Sequence, residues 1–467
     1  MNYLRNTTTS YSLINVNVFQ NGSLEFPIDC SNIRTFCLKD VVLLDTVFMA
    51  FLRHFVSLEN LEFSNLHLVR TQQLEPSVKI MCCSIRDINF EFSSWEIFDY
   101  LYTPDICSLR LSSSDLIAHP SITSYLTEVN DLKHLELHAV SCDIMEFFKY
   151  ADYTFALKEL NLVTSDYTGQ INTRYDHYFQ DFIAQNTSSL NSLEMKALLS
   201  PASLDFIMKR LRNLRSILLK VNYLICDTSI YYQKKPRRTV KTLTLEGSFH
   251  SIDMIVALMA LYPCAKVLSF RDSYMDFNVK FLSDVLRYAA LICTELNDLS
   301  LTRLIPLQPE LRFEKLEILR VGYVNDWNDL VTFLKMNNTL QRLCIEHVFR
   351  QQSDHRAMEM IIDCNIMHLH MTSDSYEIKR IFEIFDIIGS GNLFTLKLTV
   401  QSCESKSYNF HFSPGNNNSI TAEELKFDTN AFIIDDLVEF LDELSEPQQD
   451  RHQFKSSEML NHQFMNY

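Results

Sequence analysis

Along most of the chain the apolar residues fall in one triad, apolar-x-x-apolar-x-apolar, of which Leu132/Leu135/Leu137 is the clearest. Its last two positions alternate with polar residues, the period-two signature of a strand with one buried face. The run Cys142 to Ala151 that follows spaces its apolar residues by three and four, which predicts a return helix. The triad recurs sixteen times, from Ile33/Phe36/Leu38 to Ala422/Leu425/Phe427. From Phe36 to Leu425 is 389 residues over fifteen steps, about 26 per unit. A unit of that length buries too few side chains to offset the ordering of its own backbone, so the units must stack.

Helical spacing is read in 95–102, 144–150, 175–183, 204–211, 252–261, 277–291, 327–334, 357–362, 378–388 and 432–444. The inserts after Leu219, Leu301 and Leu398 lack it, and 222–238 is the most irregular. That stretch is expected to protrude as an exposed loop. Ahead of the first triad, residues 11–29 alternate through Asn21-Gly22, which predicts a β-hairpin covering the open edge of the stack. The expected organisation is a cap over 1–32, a solenoid over 33–445 that ends in a capping helix, and a frayed tail over 446–467.

These triads with intervening helices resemble the leucine-rich-repeat superfamily, in particular the intracellular helix-bearing types of ribonuclease-inhibitor-like and F-box/leucine-rich-repeat proteins. The resemblance spans Ile33 to Leu444. It implies an α/β horseshoe of about sixteen strand-plus-helix repeats with a parallel inner sheet. It also implies recognition of a protein partner on the concave face, as in a substrate receptor or adaptor. The ninth repeat position, Asn or Cys in the family, is Asn here only at Asn222 and Asn430. Elsewhere it is Val41, Leu66, Val140, Leu198, Leu304, Val324 or Val348, among others. The Leu-Pro-rich helical segment with which F-box relatives dock a ubiquitin-ligase adaptor has no counterpart before Ile33, where Pro27 is the one proline. The chain resembles the substrate-reading half of such a receptor without the coupling half.

Composition narrows the partner. Lys and Arg number 42 against 58 Asp and Glu, a net charge of −16, which argues against binding a nucleic-acid backbone. Apolar runs such as Met254 to Leu261 fall far short of the roughly 20 residues of a membrane helix. The start of the sequence has no apolar signal-peptide core, and the 12 cysteines are scattered with no CxxC pair. Free thiols in a cytoplasmic protein are the expectation, with Cys82 and Cys83 a buried thiol beside an exposed one. A secreted or receptor-type ectodomain is the alternative, which paired cysteines would favour. Glycosylation-type triplets start at Asn6, Asn21, Asn186, Asn337 and Asn417, and without a signal peptide they carry little weight. The basic run Lys234, Lys235, Arg237 and Arg238 has the composition of a nuclear-localisation patch.

Between the core positions of each strand, alternate side chains face away from the core and form the expected binding surface. The first seven strands place Glu62, Asp87, Glu91, Glu136, Glu159 and Glu194 there against Lys39, Arg110 and Lys196. Strands eight to fifteen place Lys220, Arg271, Arg320, Arg342 and Lys397 against Glu246, Asp298 and Glu346. His368 and His370 add charge in mildly acid solution. Arg271, Arg320, Arg342 and Lys397 are expected to dock an acidic segment of the partner. His134, Glu136 and His138 on one strand, and His368 and His370 on another, have a spacing that could share a metal. Polar residues on a solvated strand face are the reading adopted, with no metal or cofactor. Nucleophile-elbow, Cys/His and Gly-rich phosphate-loop motifs are not found, so the expectation is a binding protein rather than an enzyme.

Overall fold

The computed structural model describes residues 10–14, 17–18, 32–71, 79–113, 119–139, 144, 147–150, 155–164, 176–196, 200–220, 235–247, 252–271, 279–304, 311–324, 326–347, 364, 366–374, 395–401, 407–412 and 420–424. The chain forms two units, Met1–Asp227 and Thr228–Tyr467.

The first unit opens with β1 (Ser10–Ile14), β2 (Asn17–Val18), β3 (Thr35–Leu44), α1 (Asp45–His54) and β4 (Asn60–Val69). Next come β5 (Ile80–Met81), β6 (Asp87–Glu91), α2 (Ile97–Tyr100), β7 (Leu101–Tyr102), β8 (Ser108–Ser112) and α3 (Pro120–Thr127). It continues through β9 (His134–Ala139), β10 (Glu159–Thr164), α4 (Asp176–Gln185), β11 (Ser192–Lys196), α5 (Pro201–Arg210) and β12 (Ser216–Lys220). From β3 the main strands pair parallel in chain order, while β5 pairs with β7 alone in a second, two-stranded sheet. The central triad residues lie in one register: Phe36, Leu61, Ile88, Leu109, Leu135, Leu160, Leu193 and Ile217. All are buried.

The second unit contains β13 (Thr242–Glu246), α6 (Ile252–Leu261), β14 (Val267–Arg271), α7 (Val279–Ile292), β15 (Asp298–Leu304), β16 (Ile318–Val324) and α8 (Trp327–Met336). It ends in β17 (Arg342–His347), β18 (His368–Asp374), β19 (Thr395–Gln401), β20 (Ser407–Phe412) and β21 (Ile420–Glu424). β13 to β19 pair parallel in chain order, with Leu243, Leu268, Leu299, Leu319, Leu343, Leu369 and Leu396 in one register. Strand alternating with helix in parallel register is what a repeat solenoid requires.

One hydrogen-bond device recurs at strand entry in both units. A single carbonyl of the preceding repeat accepts from two successive N–H groups: Arg34 from Glu59 and Asn60, Glu59 from Arg86 and Asp87, Lys266 from Asn297 and Asp298, Glu317 from Gln341 and Arg342. This bifurcated acceptor fixes each strand to its neighbour before the ladder begins, so the register cannot slip.

Two expectations are corrected. Residues 10–18 do not form the first arm of an antiparallel hairpin: β1 and β2 both run parallel to β3, with Tyr11 opposite Phe36 and Val18 opposite Leu43. The alternation of Leu13, Val16 and Val18 marks a strand but carries no information about its direction. The expected second arm lies outside the described residues. At the other end β20 is antiparallel to β19 and β21 antiparallel to β20. Ala422 of the sixteenth triad therefore sits in an antiparallel strand rather than a further parallel repeat. The helices expected in 357–362, 378–388 and 432–444, the tail 446–467 and the Asn222 and Asn430 positions lie outside the described residues.

Among the expected return helices, 175–183, 204–211, 252–261, 277–291 and 327–334 are helical with small shifts of boundary. The 95–102 stretch is a single turn, α2, running into β7. Two helices were not expected from spacing. α1 buries Val47, Phe48, Met49, Phe51 and Leu52, too many sides to read as a stripe, and α3 has few large apolar residues but a proline in its first turn.

Asn186 and Asn337, each 1% exposed, follow the last turns of α4 and α8. Asn186 Nδ2 donates to the Phe182 carbonyl and its Oδ1 accepts from Leu157 N–H at 3.2 Å. Asn337 repeats this with the Phe333 carbonyl and Phe313 N–H at 2.7 Å. Both satisfy an orphan helix carbonyl and tie the helix end to the previous repeat. Two of the glycosylation-type triplets thus begin at buried asparagines that no glycan could reach. The described cysteines are free thiols; Cys82 is buried, its thiol pushed up to about 11 chiefly by burial, beside exposed Cys83.

Gly322 in β16 is packed against the backbone of Thr302 in β15: a Cβ there would fall on the Thr302 carbonyl, 3.1 Å from its carbon. Gly322→Ala should therefore destabilise the second unit by about 1–3 kcal/mol, the range of overpacking changes. Chemical denaturation checks this, and a midpoint equal to wild type would mean that the two strands can part freely.

Candidate recognition surface

Glu136 and Arg320 lie opposite the core, because the residues flanking them are buried: Leu135 and Leu137 flank Glu136, and Leu319 and Val321 flank Arg320. Their free charge is smaller than the sequence count implies. In the first unit Glu136 receives His138 Nε2 at 2.5 Å and Arg110 Nε at 3.5 Å. The His138 hydrogen bond, with Arg110 beside it, holds the Glu136 carboxyl below its usual range despite partial burial. His134 Nδ1 lies 3.0 Å from Glu159, and Lys196 Nζ lies 2.8 Å from Glu194. His134 is thus taken up by Glu159 and Glu136 by Arg110 across strands, while His138 meets Glu136 within β9. Glu62, Asp87 and Glu91, on β4 and β6, remain without an ion pair among the described residues. Glu91 accepts instead from the Ser64 hydroxyl at 3.2 Å.

In the second unit the expected basic patch divides. Arg320 is committed to Asp298: its Nε lies 3.2 and 3.3 Å from the two carboxylate oxygens and its Nη2 3.1 Å from Oδ2. Asp298 is buried, so this is a partly desolvated, several-point pair. The hydrogen bond to Asp298 raises the already high basicity of Arg320. Sequence alone does not disclose that pairing, since the two residues are separated by a full repeat and meet only through the β15–β16 register. Arg271 and Arg342 are exposed and make no ion pair among the described residues. Arg271 has Glu246 as its register neighbour. Lys220 closes β12 in the first unit.

What the ladder does bring together is a narrower group on β17 to β19. Arg342 is in register with His368 and then Thr395; Cys344 is in register with His370 and then Lys397. Neighbouring strands lie ~4.8 Å apart, so these positions adjoin, whereas Arg271 and Lys397 are separated by five strand steps, about 24 Å. Cys344 is buried, and its thiol is pushed up by burial against the opposing pull of Arg320 and Arg342, so it is a poor nucleophile.

Of the basic run, Lys234 lies outside the described residues and Lys235 and Arg238 are exposed. Arg237 departs from the expected free loop. It is half-buried, and its N–H donates to the Leu261 carbonyl at the end of α6, at 2.6 Å. No described helix is long and apolar enough to cross a membrane.

A scan against protein-family models finds no match, and a search of curated proteins finds no match either.

Proposed function

We propose that this chain is a leucine-rich-repeat-type recognition scaffold whose second unit receives an acidic segment of a protein partner on the open strand face of β17 to β19. The observation that carries the reading is the register that sets Arg342 beside His368, and His370 beside Lys397. Across these strands the acids at alternating face positions are Glu346 on β17 and Asp374 at the far end of β18, two strand positions beyond Thr372. Positive fields that add over adjoining strands accelerate encounter with an acidic partner and orient it. The reading keeps the partner class expected from sequence, a protein, and the kinship with the substrate-reading half of F-box/leucine-rich-repeat receptors. It moves the docking residues away from Arg320, whose charge is already matched.

The test is a double reversal, Arg342→Glu with Lys397→Glu, applied to the association rate of a partner recovered by cross-linking to the full chain. The expected result is association about tenfold slower at low ionic strength, with a flatter salt dependence. The melting midpoint of Arg342→Glu alone should stay within about 2 °C, because an exposed charge contributes little to folding. An unchanged rate at low salt would remove this surface from consideration.

A further inference from the structure

A second feature of the same strand face lies on β14 to β16. Ser269 and Ser300 are register neighbours, each between two core residues, so both hydroxyls face away from the core. Ser269 is 4% exposed, yet its Oγ has no hydrogen-bond partner among the described residues. A buried hydroxyl left in that state is destabilising, and an acceptor brought to it would remove the penalty. The adjoining positions hold little bulk: Thr302, whose own hydroxyl is used on the Phe270 carbonyl at 3.1 Å, and Gly322 beyond it. On either side stand two guanidinium groups. Arg271 is two residues along the strand from Ser269 and exposed. Arg320 is the register partner of Ser300; among the described residues its Nη1 meets only the Cys344 sulfur, at 4.0 Å, so it keeps hydrogen-bond capacity after binding Asp298.

We propose that Ser269, Ser300, Arg271 and Arg320 form a seat for a single carboxylate of the bound acidic segment. The assignment rests on the docking reading above and adds the chemistry and spacing of what is recognised. Charge decides the class. Asp298 offsets Arg320 and Glu246 stands beside Arg271 in register, so the seat offers hydrogen-bond donors without surplus positive charge, and Glu346 on β17 further opposes a second negative charge. That balance fits a monoanion with two oxygens rather than a phosphate dianion. Spacing follows from the ladder: from Ser300 on β15 to His370 on β18 is three strand steps, about 14 Å, and an extended chain covers ~3.4 Å per residue. The partner segment therefore carries acidic side chains about four residues apart.

The test uses phenylglyoxal labelling of arginines in the full chain, read residue by residue by mass spectrometry. The probe is an end-blocked peptide with two glutamates separated by three serines. At millimolar concentration it should slow labelling of Arg271, Arg320 and Arg342 by roughly threefold, and the same peptide with glutamines should not. Ser300→Leu should abolish protection of Arg271 and Arg320 while leaving that of Arg342, and Ser300→Thr should retain all three; melting curves confirm that both variants fold. Unchanged labelling of Arg271 and Arg320 with the glutamate peptide overturns the seat. If Arg342 alone is protected, the docking reading stands and the seat falls; if only Arg271 and Arg320 are protected, the seat stands and the docking surface falls. A phosphoserine peptide that protects Arg271 better than the glutamate peptide overturns the carboxylate assignment.

Discussion

Leu243→Asp should leave the second unit without a stable fold. Leu243 is fully buried in β13, opposite Leu268 in β14. An aspartate there must either ionise in an apolar interior or hold its proton at a cost, and its polar atoms gain no partner in exchange for water. The loss is several kcal/mol, comparable with the ~5–15 kcal/mol that a domain has to spare. Leu243→Ala, which removes only volume, should cost about 2–5 kcal/mol and leave a weakened but folded chain. The difference tests whether the repeats share one core, since in a stack each repeat is stable only through its neighbours. Hydrogen exchange gives the readout: in Leu243→Asp, amides around Leu268 and Leu299 should lose protection together. Protection retained at Leu268 beside an unfolded β13 would show that each strand–helix unit is independent.

The repeat was readable because two periods coincide in it. Alternation about Leu135 and Leu137 marks the strand, and the roughly 26-residue recurrence aligns each triad with the next, so the residue at the centre of one triad pairs with the centre of another. Direction was not readable: the same alternation in Leu13, Val16 and Val18 fits either orientation, and only pairing to β3 decides it. Nor was charge balance. Arg320 and Asp298 count as opposite charges on one half of the face, and only the adjacency of β15 and β16 shows that they neutralise each other. Asn186 and Asn337 fit a surface motif in sequence, yet each is consumed inside the molecule by a helix end and a strand approach. In all three cases the missing information is which neighbour a residue meets, and a single chain's pattern fixes faces better than partners.

Replacing Asp45 by Ala should be the most damaging single polar change in the first unit. Asp45 opens α1, is 1% exposed and gathers donors from three repeats. Its Oδ1 accepts from Thr46 N–H at 2.7 Å and the Thr71 hydroxyl at 2.6 Å; its Oδ2 accepts from Thr71 N–H and the Tyr100 hydroxyl, both at 3.1 Å. A carboxylate at a helix N-terminus also gains from the helix dipole. Alanine would leave the hydroxyl of buried Tyr100 and the Thr71 donors without an acceptor, a loss of about 3–5 kcal/mol at ~1–3 kcal/mol per orphaned group. Tyr100→Phe removes one donor with its need and should cost only about 1 kcal/mol. The cluster also predicts an alkaline response. Burial, then the charge and hydrogen bond of Asp45, push the Tyr100 phenol up from 10 to about 12. A raised phenol ionises first in the unfolded chain, so its contribution to stability is intact below about pH 10 and is lost as pH rises towards 12. Denaturant unfolding between those values should fall more steeply with pH for the native sequence than for Tyr100→Phe. Parallel slopes would mean that Tyr100 is open to solvent and that Asp45 does not organise the junction.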